Sequence, residues 1–85
     1  MSELFQNRVV FVTGAGSGIG FAICREFAKQ GATVALNDIR EDVAQSAAQS
    51  INDTVGRDAV TPYVFDVADV EATQSAIREF DTQQG

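Results

Sequence analysis

The 85-residue chain carries six Lys and Arg against twelve Asp and Glu, a net charge of −6, with 45% apolar and 21% charged residues. That is the composition of an ordinary globular domain, and its acidity with scattered basic residues argues against a nucleic-acid partner, which needs clustered Lys and Arg. One cysteine and no histidine exclude an internal disulfide and argue against a dedicated zinc site, while no run of about 18 apolar residues offers a membrane span.

Val9-Val10-Phe11-Val12 is apolar at every position, the pattern of a strand covered on both faces. A glycine-rich turn follows, and a helix is expected from about Gly18 to Gln30, with Ile19, Ala22, Ile23 and Phe27 on one stripe and Gly31 closing its end. Cys24 lies on this helix beside Ile23 and is expected as a packed apolar group. Ala32 to Asn37 reads as a second strand, and Glu41 to Asn52 as a second helix burying Val43, Ala44, Ala47, Ala48 and Ile51. Asn52 to Gly56 is expected to be a loop. Val60 to Phe65 is a third strand, which Pro62 confines to a sheet edge because it cannot donate to a ladder. Asp69 is placed to cap a third helix with Val70, Thr73, Ile77 and Phe80 facing inward. The order βαβαβα implies parallel strands joined by right-handed crossovers, with the third strand outermost.

The turn carries the chemistry. Thr13-Gly14-Ala15-Gly16-Ser17-Gly18-Ile19-Gly20 follows directly on the first strand, and Asp38 ends the second, eighteen residues past Gly20. Glycines allow a tight bend and a close backbone approach to a pyrophosphate. The helix opening there presents free N–H groups and the positive end of its dipole to phosphates. An acid at the end of the next strand accepts hydrogen bonds from a ribose. Gly-x-Gly-x-x-Gly fails, because Ile19 holds its third position, and a phosphate-binding P-loop fails for want of Gly-Lys-Ser/Thr. Thr-Gly-x-x-x-Gly-x-Gly fits, at Thr13, Gly14, Gly18 and Gly20.

This pattern resembles the short-chain dehydrogenase/reductase family, and two further landmarks agree: Asn37-Asp38 at the second strand end and Phe65-Asp66-Val67 at the third. The resemblance runs from about Leu4 to Gly85. It implies a Rossmann-type doubly wound α/β sheet, of which residues 1–85 are the N-terminal βαβαβα half of a single NAD-binding domain, truncated before strand four. It implies cofactor contacts from Gly14, Ser17, Gly18, Ile19 and Gly20 at the pyrophosphate and its neighbourhood, and from Asp66 and Val67 at the adenine. Asp38 would take both ribose hydroxyls and repel a 2′-phosphate, so NAD is expected over NADP. The family's NADP-selecting base usually replaces or immediately follows this acid, where Ile39 stands; Arg40, one residue further on, could in principle accept a 2′-phosphate.

The family transfers hydride between a nicotinamide and an alcohol or ketone, using a Tyr whose pKa is lowered by a Lys four residues later. Here the only tyrosine, Tyr63, is followed at that spacing by Val67, and the only lysine is Lys29. No catalytic residue is carried over. The expected parent is therefore a cytoplasmic, homo-oligomeric oxidoreductase acting on a small alcohol or ketone, with this chain silent in isolation. The alternative is a stand-alone nucleotide-binding or interaction module. It is disfavoured because an all-apolar first strand would then be left as an open edge inviting association.

Overall fold

Three short apolar segments align as a parallel sheet in the order β1-β2-β3: Val9–Val12 (β1), Thr33–Asp38 (β2) and Val60–Val64 (β3). The computed structural model describes residues 8–84. The start of the family resemblance at Leu4 and its end at Gly85 lie outside the described residues. Val9 pairs with Thr33 and Val12 with Leu36, while Val34 pairs with Val60 and Asp38 with Val64. β3 is an outer strand, as Pro62 demands; its partner is Leu36 on β2 alone.

Alternation along the strands sends side chains to two different layers. Val10, Val12, Val34, Leu36 and Val60 pack against helices Gly18–Lys29 (α1) and Glu41–Val55 (α2) through Cys24, Ala28, Ala44, Ala47, Ala48 and Ile51. On the opposite face Phe11 packs against Tyr63, Phe65 and Phe80 of helix Val70–Gln84 (α3), and Tyr63 also meets Phe80, with ring centroids 5.8 to 6.2 Å apart. Tyr63 is thus a member of an aromatic layer, and its hydroxyl donates to Gln83 Oε1 at 3.4 Å. The right-handed crossovers required of parallel strands place α1 and α2 on one face, and α3 covers the other.

Three sequence expectations are corrected. On α1, Ile19 is 80% and Ile23 41% exposed, and Ala22 is exposed as well. The stripe that enters the core is Cys24 and Ala28, flanked by the half-buried Phe21 and Phe27. Small residues occupy it because the helix backbone lies close to the sheet. On α3, Val70 and Ile77 face outward, and Ala76 and Phe80 are the buried pair. The expected loop at Asn52 to Val55 is helical: Val55 extends the stripe of Ala48 and Ile51, and the helix stops at Gly56, whose φ of 75° suits a left-handed cap.

Two polar staples fix the strand spacing. Asn52 accepts from the N–H groups of Ala59 and Val60 at 2.9 and 2.8 Å and donates to the Val60 carbonyl at 3.0 Å, tying the end of α2 to β3. Arg57 donates to the carbonyls of Ala28 and Ala32 at 3.0 and 3.1 Å, closing the open end of α1. Asp69 caps α3 as expected, accepting from the Ala72 N–H at 3.0 Å. Cys24 is fully buried, and that burial pushes its thiol up to about 12.

Candidate functional site

The carboxyl ends of the three strands meet beside the glycine turn, where open α/β sheets hold ligands. A cavity of about 320 Å³ lies there, lined by Gly14, Asn37, Asp38, Ile39, Arg40, Phe65, Asp66 and Val67. Five of the nine residues expected at the cofactor, Gly14, Asp38, Ile39, Asp66 and Val67, share this one cavity. Ser17, Gly18, Ile19 and Gly20 form the adjoining turn and the start of α1.

The turn is shaped by two kinds of glycine. Gly14 and Gly18 take φ of 60° and 66°, a conformation costly for side chains with a Cβ, and a Cβ on either would meet nothing within 4 Å. Gly20 is needed for space: a Cβ there would stand 2.8 Å from Ala15 Cα and 3.0 Å from the Gly14 carbonyl oxygen. Gly16, which the family pattern does not require, is equally confined, because its Cβ would press on Val43 and on the Asp38 carboxylate. Ser17 is the exposed N-cap of α1 and makes no side-chain capping bond. The helix therefore begins with N–H groups that have no intrahelical partner, next to the cavity.

Asn37, a residue the sequence marked only as a landmark, holds the three strand ends together. It is buried, accepts from the Gly14 N–H at 3.1 Å and donates to the carbonyls of Tyr63 and Phe65 at 3.1 and 3.0 Å. Its own carbonyl accepts from the Ala15 N–H at 2.6 Å. The first turn is thereby fixed to both β2 and β3. Nothing in the chain's composition distinguishes such an asparagine from one in a loop; its position one residue before Asp38 is the only signal.

Among the described residues Asp38 is the most heavily hydrogen-bonded carboxylate. Its Oδ1 accepts from the Arg40 N–H and Nε, both at 3.0 Å, and its Oδ2 accepts from the Gly16 N–H at 3.0 Å and Arg40 Nη2 at 3.2 Å. The Arg40 side chain, above all through these hydrogen bonds, lowers the Asp38 carboxyl from 3.8 to about 2. Asp66 lies exposed on the opposite wall, with Oδ1 accepting from the Ala68 N–H at 2.9 Å, the turn that leads into α3. Positive-φ glycines, a free helix start and an acid fixed at a strand end suit a dinucleotide with a pyrophosphate and a diol. The residues fit such a group.

Comparison with known proteins places the chain in a family. The family model described as short chain dehydrogenase matches residues 8–85, so the chain belongs to the short-chain dehydrogenases. A 3-oxoacyl-(acyl-carrier-protein) reductase of Chlamydia trachomatis is 36% identical over 80 residues, covering 94% of this chain and 32% of that protein. Among solved structures, a citronellol catabolism dehydrogenase of Pseudomonas aeruginosa superposes with a TM-score of 0.91 at 28% identity, over 100% of this chain and 35% of that one. The L-sorbose reductase of Gluconobacter frateurii, solved with NADPH and L-sorbose, superposes with a TM-score of 0.86 at 32% identity, over 96% of this chain and 31% of that one. The chain spans about a third of the length of these relatives. The relatives are oxidoreductases, and the βαβαβα arrangement is the N-terminal half of their Rossmann-type fold. No helix among the described residues is long and apolar enough to cross a membrane.

Proposed function

We propose that these residues supply the adenosine and pyrophosphate half of the cofactor site in a nicotinamide-dependent oxidoreductase, with NAD preferred over NADP. When bound, the nicotinamide would supply the hydride acceptor or donor for a small alcohol or ketone. Gly14, Gly18, Ile19 and Gly20 would hold the pyrophosphate against the start of α1, with Ser17 beside it. Asp38 and Ile39 would line the ribose, and Asp66 and Val67 the adenine. The general acid and its lysine partner are not among the residues of this chain. The reading extends to a cytoplasmic, homo-oligomeric whole protein on family resemblance.

One observation carries the cofactor preference. Backbone N–H groups of Gly16 and Arg40 hold the Asp38 carboxylate, one on each oxygen, at the wall of the cavity. A carboxylate fixed in this way accepts a vicinal diol through two hydrogen bonds, whereas a phosphate ester on that diol meets like charge. The test is titration of the full-length protein with both cofactors. NAD should bind at least tenfold more tightly, ~1.4 kcal/mol. Asp38→Ala should narrow the gap mainly by weakening NAD. Equal affinity of the parent protein for the two cofactors overturns the assignment.

A further inference from the structure

The Asp38 carboxylate offers about four acceptor positions, two on each oxygen, and all four are filled. The backbone N–H groups of Gly16 and Arg40 hold one position on each oxygen, and the guanidinium of Arg40 holds the other two through Nε and Nη2. The two positions taken by the guanidinium are therefore one on Oδ1 and one on Oδ2, the pair that a vicinal diol needs. Only 6% of the Asp38 side chain is exposed, whereas the Arg40 side chain is 55% exposed. The arginine covers the acid from the solvent side.

The geometry points to Arg40 as an intramolecular competitor for the ribose subsite, a side chain whose two-pronged contact occupies the place of the diol and which must swing off Asp38 before a ribose can bind. This rests on the ribose role assigned to Asp38. The backbone donors stay in place when the guanidinium leaves, so the carboxylate keeps its orientation. Arg40 also stands at the N-cap of α2 on a flexible, largely exposed side chain, so the guanidinium can leave Asp38 for solvent without unpacking the core. Once displaced, the guanidinium lies at the edge of the same cavity, where it can pair with a phosphate on the 2′ oxygen. One residue then weakens the dinucleotide that carries a free diol and strengthens the one that carries a 2′-phosphate. The expected outcome is a protein whose preference for NAD is narrower than Asp38 alone would set.

The test is calorimetric titration of the full-length protein with NAD and with NADP, for the parent, Arg40→Met, Arg40→Lys, Asp38→Ala and the Asp38→Ala/Arg40→Met double variant. Arg40→Met should bind NAD at least threefold more tightly and NADP at least threefold more weakly. Arg40→Lys keeps the charge without the fork, so it should retain NADP affinity while gaining NAD affinity. In the Asp38→Ala background Arg40→Met should no longer improve NAD binding, because the contest has lost its object. Unchanged or weaker NAD binding by Arg40→Met, alongside a large NAD loss in Asp38→Ala, overturns the competition and leaves the ribose assignment standing. If Asp38→Ala itself leaves NAD affinity unaltered, the ribose assignment falls, and the competition falls with it.

Discussion

Gly20→Ala isolates the contact between α1 and the first turn. The added Cβ would stand 2.8 Å from Ala15 Cα and 3.0 Å from the Gly14 carbonyl oxygen, where ordinary contact begins at 3.4 Å. Both opposing atoms are backbone. The turn cannot yield, since Gly14 and Ala15 are bonded through their N–H groups to Asn37 at 3.1 and 2.6 Å. The start of α1 must therefore retreat by about 0.6 Å, the difference between 3.4 and 2.8 Å. Overpacking of this sort costs about 1–3 kcal/mol, partly offset by up to ~1 kcal/mol from the better helix propensity of Ala. In urea the full-length protein should lose about 1–2 kcal/mol as a lower midpoint with an unchanged slope. Because the retreating N–H groups are those proposed to hold the pyrophosphate, NAD affinity should also fall about tenfold, ~1.4 kcal/mol. Gly18 is the comparator, being constrained by its φ of 66° and not by space. Gly18→Ala should lose about 1–2 kcal/mol to backbone strain, and Gly18→Asn should recover part of it because Asn tolerates that region. Gly20→Asn should recover nothing. A Gly20→Ala protein with parental midpoint and NAD affinity would refute the close-approach argument.

Cys24 should resist iodoacetamide at pH 8 in the folded protein and react on unfolding, because burial keeps its thiol neutral there; Cys24→Ala should lose only ~1 kcal/mol of stability and keep NAD affinity, and rapid native-state alkylation would contradict the packed role. Asn37→Ala leaves the Gly14 N–H and the carbonyls of Tyr63 and Phe65 without their side-chain partner, so a stability loss of at least ~2 kcal/mol with weakened dinucleotide binding is expected, measured by urea denaturation and titration. The Asp38 pair should show in acid stability. Its carboxyl is lowered on folding from 3.8 to about 2, so its contribution is complete above 3.8 and is lost as pH falls toward 2. The stability difference between the parent and Arg40→Met should accordingly be constant from pH 7 to 5 and shrink below pH 4; a difference that grows on acidification would mean that the sign is wrong.

The glycine register, the acid at the end of β2 and the strand-helix alternation were legible in the sequence because each is local. A positive φ, a strand end and a parallel crossover depend on neighbours a few residues away. Helix facing is different. On α1 two apolar stripes compete, Ile19 with Ile23 and Cys24 with Ala28, and side-chain size favours the first. The sheet chooses the second, since Gly20 lies against Ala15 and only small residues fit where a helix approaches so closely. The same conflict recurs on α3, where Val70 and Ile77 yield to Ala76 and Phe80 because the aromatic layer of Phe11, Tyr63 and Phe65 needs one large partner.

Within the cavity the same division separates what was foreseen from what was not. Gly14 and Asp38 stood out from the glycine register and the strand end, and Ile39, Asp66 and Val67 from the family resemblance; all five line the cavity. The contacts that set their chemistry link residues distant in sequence or depend on a side-chain rotamer. Gly16 is 22 residues from the Asp38 carboxylate it donates to, and Asn37 is 26 and 28 residues from the carbonyls it donates to. Arg40 is only two residues from Asp38, yet its guanidinium could equally have pointed into solvent. Its turn back across the acid converts a simple rule, that an acid at this position selects the unphosphorylated ribose, into a balance between two occupants of one carboxylate. On the proposed ribose assignment, cofactor preference is set by Asp38 and Arg40 as a pair, and a substitution at either should alter what the other contributes.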